Sequence, residues 1–150
     1  NNEIDTIGTD HVANQLKLKL GGDDVWGALA GFPGIGTSLP ILLSEGINKN
    51  RITLDQLVNL TSANTSKIFG LSDKGNIATG FDADITMIDL KKEEKVSPEL
   101  FGGFSDYLVY DGWNLKGWPV KTIVRGSLIA EDFEVVGKAG YGKLVSRKLS

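Results

Sequence analysis

The chain has 150 residues, of which 41% are hydrophobic, enough to bury the core of one ordinary domain or of two small subdomains. A formal charge of −3 and a pI of about 5.1 argue against a nucleic-acid-binding surface. The absence of cysteine excludes a disulfide framework. Because no apolar run approaches the ~18 residues needed to span a bilayer and no signal peptide is recognisable, we expect a cytoplasmic protein with no nucleic-acid or membrane partner.

The first predicted element is a short buried strand at residues 4–9, which ends by presenting Asp10. In α/β enzymes, metal ligands and proton-transfer groups lie at the carboxyl ends of strands. Asp10 is therefore a candidate metal ligand or general base, and capping of the following turn is the alternative. His11 is expected to point away from Asp10 in an extended chain, so the two do not share an ion. With one histidine and no cysteine, the chain cannot supply a complete transition-metal site.

A polar loop is predicted at residues 14–24, followed by a helical turn over residues 24–29 and a glycine-rich loop over residues 31–36. The glycine spacing matches neither the P-loop nor the dinucleotide fingerprint. Glycines at such positions instead let the backbone pass close to a ligand or to neighbouring strand ends.

Two helical regions are predicted next. The first runs from Gly36, with Pro40 in its first turn and Gly46 as its stop. The second begins with a capping box from Thr53 to Gln56 and carries an apolar stripe. A break or a second helix is expected around residues 62–64, before a glycine cap at residue 70.

Short β-rich runs follow residue 70. Residues 85–90 are nearly continuous in apolar side chains, which predicts a strand covered on both faces. Further strands are predicted at residues 120–125, 127–130 and 135–136, making an antiparallel segment of four strands. The aromatic residues between positions 101 and 118 are expected to pack over a subunit or domain seam rather than to bind a sugar or nucleobase.

In this order, these segments resemble the C-terminal third of the cyclic amidohydrolases, a group that includes hydantoinases, dihydropyrimidinases, allantoinases and dihydroorotases. The segments that carry the resemblance are Gly8–His11, Gly31–Gly34, Leu39–Leu43, Arg51–Leu54, Leu60–Asn64, Lys67–Leu71, Lys74–Ile77, Gly80–Ile85 and Val124–Gly126. The resemblance implies an α/β plus β fold: the C-terminal fragment of a (β/α)8 TIM-type barrel followed by part of a β-sandwich subdomain. Residues 1–70 would be the last barrel strand and closing helices, and residues 71–150 the sandwich part and tail.

The resemblance also implies a function. Asp10 would be the catalytic carboxylate and a ligand of a binuclear divalent-metal centre, assigned as zinc, that supplies the hydroxide for hydrolysis of a cyclic amide. It would take the proton from that hydroxide and pass it to the leaving nitrogen. The other ligands would lie in a preceding barrel segment that this chain lacks, so we expect the isolated chain to be inactive and to need that segment or a homo-oligomeric partner.

The run from Asp111 to Val120 resembles the hydantoinase and dihydropyrimidinase branch, and the chain lacks the His-Ala-Pro-His step usual in dihydroorotases. Ala30 stands where that branch commonly has Asn, and the expected substrate contact there is through the backbone of Ala30 and Gly31. Phe133 replaces a glycine usual in the late hairpin, which predicts a changed turn type. A non-catalytic, dihydropyrimidinase-like scaffold protein, or an allantoinase- or dihydroorotase-type hydrolase, is the alternative function.

Overall fold

A computed structural model of the chain describes residues 3–22 and 24–147. The chain divides into two compact units. The first comprises Asn1–Gly8, Lys49–Asp89 and Pro119–Ser150, and the second comprises Thr9–Asn48 and Leu90–Trp118. Each unit takes segments from both sides of residue 70, and the domain boundary there stays a prediction.

Along the described residues, the α-helices come first and the strands follow. The α-helices are α1 (Leu16–Lys19), α2 (Ile35–Ile41), α3 (Leu54–Val58) and α4 (Asn64–Ile68), with π-helical turns at Leu42–Ile47 and Asn59–Ala63 and 3₁₀ turns at Val25–Gly27 and Pro98–Phe101. The strands are β1 (Ile85–Lys95), β2 (Asn114–Val124), β3 (Ser127–Glu131) and β4 (Glu134–Val135), in the sheet order β1-β2-β3-β4. The strands β2, β3 and β4 pair antiparallel, which confirms the β segment predicted after residue 70. Among the described residues, no helix is long and apolar enough to cross a bilayer.

The strand predicted at residues 4–9 is not formed. Residues 3–10 have no regular secondary structure, and Ile4 and Ile7 are 66% and 40% exposed. The amide of Ile7 donates to the carbonyl of Leu60 at 3.1 Å, in a helical turn rather than in a neighbouring strand. Because a strand is stabilised by ladder bonds and by cover on its faces, its apolar composition alone does not form it.

The helix expected from Gly36 begins one residue earlier, as α2, and runs directly into the π-helical turn at Leu42–Ile47. Pro40 lies in the interior of α2, and Gly46 lies inside the π-helical turn, so both predicted positions are wrong. Proline has no N–H to donate to the preceding turn, and a wider helical turn next to it is one way in which helices adapt. The helix ends after the Asn48 amide donates to the carbonyl of Leu43 (2.9 Å).

The predicted capping box at the start of α3 is confirmed. The Thr53 amide donates to Gln56 Oε1 (2.8 Å), and the Gln56 amide donates to Thr53 Oγ1 (3.2 Å). Leu57 is 2% exposed, but Leu54 and Val58 are 46% and 53% exposed. The apolar stripe predicted for this helix is therefore buried only in part by the described residues.

Of the two alternatives predicted at residues 62–64, the second helix is found: the π-helical turn Asn59–Ala63 continues without a break into α4, which begins at Asn64. The glycine cap is confirmed. Gly70 has a positive φ of 67°, and the next amide, Leu71, donates to the carbonyl of Ser66 at 2.8 Å. This bond belongs to a Schellman-type helix end.

The second unit has a core in which Leu43, Val96, Leu115 and Trp118 are buried. The indole Nε1 of Trp118 donates to the carbonyl of Leu115 (2.9 Å), and its ring stacks on Phe101 at 6.4 Å between centroids. A Cβ at Gly36 would lie 2.5 Å from the Phe101 ring, so α2 approaches that ring closely. Trp118 is thus buried in the core of this unit, and the seam expected for the aromatic residues stays a prediction.

The strand predicted at residues 85–90 forms as part of β1, but the prediction that it is covered on both faces is wrong for the described residues. Met87 and Leu90 of β1 are 46% and 36% exposed, and β1 is an edge strand of the four-stranded sheet. An apolar run indicates that cover is needed, but it does not show which part of a polypeptide supplies it.

Two tight turns connect β2 to β3 and β3 to β4. Arg125 and Gly126 have φ values of 45° and 78°, and Asp132 and Phe133 have φ values of 45° and 69°. Positive φ at both central residues is the signature of type I′ hairpin turns, whose twist matches that of the strands. Phe133, a bulky residue, therefore adopts the left-handed conformation in its turn. The change of turn type relative to the family stays a prediction.

This conformation leads to a stability prediction. Left-handed backbone costs a residue with a Cβ about 1 kcal/mol relative to glycine. We expect Phe133→Gly to be more stable than Phe133→Ala by about this amount, because both variants remove the ring and only one retains a Cβ. Urea denaturation of the two variants measures the difference, and equal midpoints would contradict the strain.

A charged cluster in the first unit links the loop before β1 to the β2–β3 turn. The Nζ of Lys74 contacts Asp82 Oδ2 at 2.7 Å and also binds Asp84 Oδ2. The other oxygen of Asp84 accepts the Arg125 amide (2.7 Å), and the Gly126 amide donates to the carbonyl of Ala83 (3.0 Å). Several of the residues that carry the family resemblance therefore hold the turn in place.

The same cluster predicts a dependence of stability on pH. Burial raises the pKa of Asp84, but hydrogen bonds from Lys74 and from the Arg125 amide outweigh it, so the pKa is lowered. Since the ordinary pKa of Asp is about 3.9, the contribution of Asp84 to stability is complete above that pH and is lost as pH falls through the folded-state pKa. We expect Asp84→Asn to lower the free energy of unfolding by about 1 kcal/mol at pH 7, and the loss to shrink below about pH 4.

Denaturation of the chain at pH 7 and at pH 3 measures this effect. Asp111→Asn is the matched control, because it removes an equal charge from an exposed side chain. A loss for Asp84→Asn that is the same at both pH values would contradict the prediction.

Candidate active site

Asp10 stands at the start of the second unit in an unusual backbone conformation. It is exposed, and its φ is 45°. Asp is among the few non-glycine residues that adopt this left-handed region, at a cost of about 1 kcal/mol. Backbone strain of this kind clusters at functional sites, where surrounding contacts hold it in place.

The residue after Asp10 supplies such contacts. His11 Nδ1 accepts the amides of Gly34 (3.1 Å) and Ile35 (3.3 Å), which lie at the start of α2. These amides have no acceptor within the helix, so the imidazole satisfies them. His11 thus serves as a hydrogen-bonding residue of the helix start. Its separation from an ion at Asp10 is expected for an extended backbone, which Asp10 does not have, and stays a prediction.

The glycine-rich loop lies beside this segment in the same unit. His11 and Phe32 form a parallel β-bridge, and the Val12 amide donates to the carbonyl of Phe32 (3.1 Å). Asp10 and Gly31 each precede the bridged pair by one residue, so the two predicted site segments run side by side. A Cβ at Gly31, whose φ is 77°, would lie 2.3 Å from Val12 Cγ2. Close approach of backbone, predicted for this loop, is therefore confirmed, with Val12 as the neighbour.

The loop is anchored by a lysine to which the sequence assigns no role. Lys19 Nζ donates to the carbonyl of Gly31 (2.7 Å) and to that of Leu29. The Gly31 carbonyl is thereby engaged inside the protein, while Ala30 is exposed. A lysine in a polar stretch is ordinarily solvated, so no feature of the sequence singles out Lys19.

The residues present do not make up a metal centre. In the described part of the chain, no group of three or more His, Cys, Asp or Glu side chains could hold an ion. Asp10 by itself does not make a metal site, because protein metal sites take several ligands.

Known proteins resemble this chain over nearly its whole length. Residues 2–129 match the model of the amidohydrolase family. An L-hydantoinase from Paenarthrobacter aurescens is 39% identical over 99% of this chain and 33% of its own length, and a dihydroorotase from Methanosphaera stadtmanae is 42% identical over 89% of this chain and 30% of its own. The structure of an L-hydantoinase (dihydropyrimidinase) from Arthrobacter aurescens matches with a TM-score of 0.90 at 40% identity, over 96% of this chain and 32% of that one.

The chain belongs to the amidohydrolase family, since the family model covers most of it. The structural neighbours are hydantoinases, so the described residues have the fold of the corresponding part of those enzymes. The chain spans about a third of the length of the relatives it matches.

Proposed function

We propose that this chain is the C-terminal third of a cyclic amidohydrolase, a hydrolase that opens a hydantoin or dihydropyrimidine ring. The relatives named as L-hydantoinase and D-hydantoinase, 39% and 38% identical over nearly the whole chain, support this substrate class. The (β/α)8 barrel and β-sandwich are proposed on the same grounds. The observation that carries the site is the strained, exposed Asp10 beside the glycine-rich loop.

Asp10 is proposed as the proton-transfer group. In the reaction, the oxygen of water adds to the ring carbonyl, Asp10 accepts its proton, and the C–N bond breaks as Asp10 returns the proton to nitrogen. Asp10 is also proposed as one ligand of a divalent-metal centre, assigned as zinc, whose remaining ligands belong to polypeptide outside this chain. The proposed contact for the substrate is the backbone of Ala30, which is exposed, and of Gly31, which is half-buried and whose carbonyl accepts from Lys19.

A dihydroorotase-type activity is the second candidate. The dihydroorotase from Methanosphaera stadtmanae is as similar to this chain as the hydantoinases are, so overall identity does not separate the two ring substrates. The His-Ala-Pro-His step expected of dihydroorotases is absent at residues 11–14, which favours the hydantoinase branch.

The test is a ring-opening assay on the complete polypeptide that carries this chain, with hydantoin, dihydrouracil and dihydroorotate as substrates. We expect turnover of hydantoin or dihydrouracil that chelators abolish, and no turnover by the 150-residue chain alone. Turnover of dihydroorotate alone would favour the second candidate. No turnover of any ring would contradict the hydrolase and favour a scaffold protein.

The cytoplasmic location and the homo-oligomeric state expected from the sequence stay predictions.

A further inference from the structure

The segment just after Asp10 is bound to the glycine-rich loop at one point and to the start of α2 at two. Val12 donates its amide to the carbonyl of Phe32, and the single side chain of His11 accepts the amides of both Gly34 and Ile35. The helix start and the glycine-rich loop are therefore tied to the peptide that follows Asp10.

The hydrogen bonds assign a role to one atom of the histidine ring. Nδ1 is the acceptor for two N–H donors. The structural contacts of the ring are thus made by the nitrogen bonded directly to Cγ.

We propose that His11 is the positioning residue of the active site: through Nδ1 it holds the backbone that gives Asp10 its left-handed conformation and sets the glycine-rich loop beside it. The proposal rests on the proposed role of Asp10 in proton transfer. A conformation with positive φ at a non-glycine residue persists only where neighbouring contacts over-determine it. His11, one residue away, provides two of those contacts.

Substitutions can separate the acceptor from the rest of the ring. Asn places its Oδ1 on Cγ, as histidine places Nδ1, so His11→Asn retains an acceptor for Gly34 and Ile35. Gln reaches one bond further and resembles Nε2 instead, and Leu has no acceptor. If His11 acts by positioning, only the Asn variant retains function.

The experiment measures kcat and KM of ring opening for His11→Asn, His11→Gln and His11→Leu in the complete enzyme. We expect the Asn variant to stay within about threefold of the parent, and the Gln and Leu variants to lose about 10- to 100-fold, mainly in kcat. Combining His11→Leu with Asp10→Asn should cost no more than Asp10→Asn alone, because the histidine acts through that carboxylate.

Amide hydrogen exchange provides a readout that is independent of activity. We expect exchange at Gly34 and Ile35 to be about tenfold faster in the Gln and Leu variants and unchanged in the Asn variant. Retained activity in the Gln variant with loss in the Asn variant would overturn the proposal, because it would place the function at Nε2. Full kcat in the Leu variant, even with a lowered melting temperature, would also overturn it.

Other results would contradict the proposed function itself: a parent enzyme that opens no ring, or an Asp10→Asn variant with full activity. In either case the exchange rates still decide whether His11 orders the start of α2.

Discussion

Replacing Asp10 by Asn in the complete enzyme is expected to lower kcat for ring opening by about 10²- to 10⁴-fold. The amide has nearly the size of the carboxylate but cannot accept the proton that, in the proposed mechanism, passes to the leaving nitrogen. Asn also tolerates the left-handed region in which Asp10 lies, so the backbone is expected to keep its conformation. Steady-state kinetics on hydantoin and dihydrouracil measure the effect.

The matched control for this substitution is Asp5→Asn, which removes the same charge from an exposed residue five positions earlier. We expect kcat of the control to stay close to that of the parent. A similar loss of kcat in both variants would show that the effect comes from the lost charge or from folding. An unchanged kcat for Asp10→Asn would remove Asp10 from the catalytic site and with it the proposed mechanism.

Replacing Gly31 by Ala is expected to lower the free energy of unfolding by about 2 to 4 kcal/mol. Part of the loss arises because Gly31 has a φ of 77°, which disfavours any residue with a Cβ. The larger part arises because the new Cβ would lie 2.3 Å from Val12 Cγ2 and 2.7 Å from Val12 Cβ. Val12 must then move, and because it follows His11 directly, we expect kcat of the complete enzyme to fall as well.

Gly22→Ala separates the two causes. Gly22 has a φ of 72°, close to that of Gly31, but a Cβ there would meet no atom within 4 Å. We expect this control to lose about 1 kcal/mol, from backbone strain alone. Urea denaturation of both variants gives the difference. Equal losses would show that the contact between Gly31 and Val12 does not limit stability.

The capping box and the glycine cap were predictable because each depends on residues a few positions apart. Thr53 and Gln56 are three residues apart, and the bonds between them form in any chain that begins a helix there. The cap at Gly70 likewise follows from one residue's freedom to adopt positive φ. No distant part of the molecule is needed for either.

The candidate site was predictable only in part. The sequence indicates Asp10 and the Gly31 loop separately, through residue type and resemblance. The bridge that sets them side by side joins positions 11 and 32, and such pairing depends on the path of the chain between them. Lys19, which binds the loop through two carbonyls, belongs to that intervening path, so its role follows from the folded loop alone.

The sequence by itself determined the family, the order of the elements after residue 70 and the local helix signals, because these depend on residue type and short spacing. The tertiary structure alone decided that residues 4–9 form no strand and that Phe133 takes a glycine-like conformation. A strand requires neighbours to complete its hydrogen bonds. The pairing of Glu131 with Glu134 leaves only two residues for the turn, so Phe133 is held at positive φ whatever its own preference.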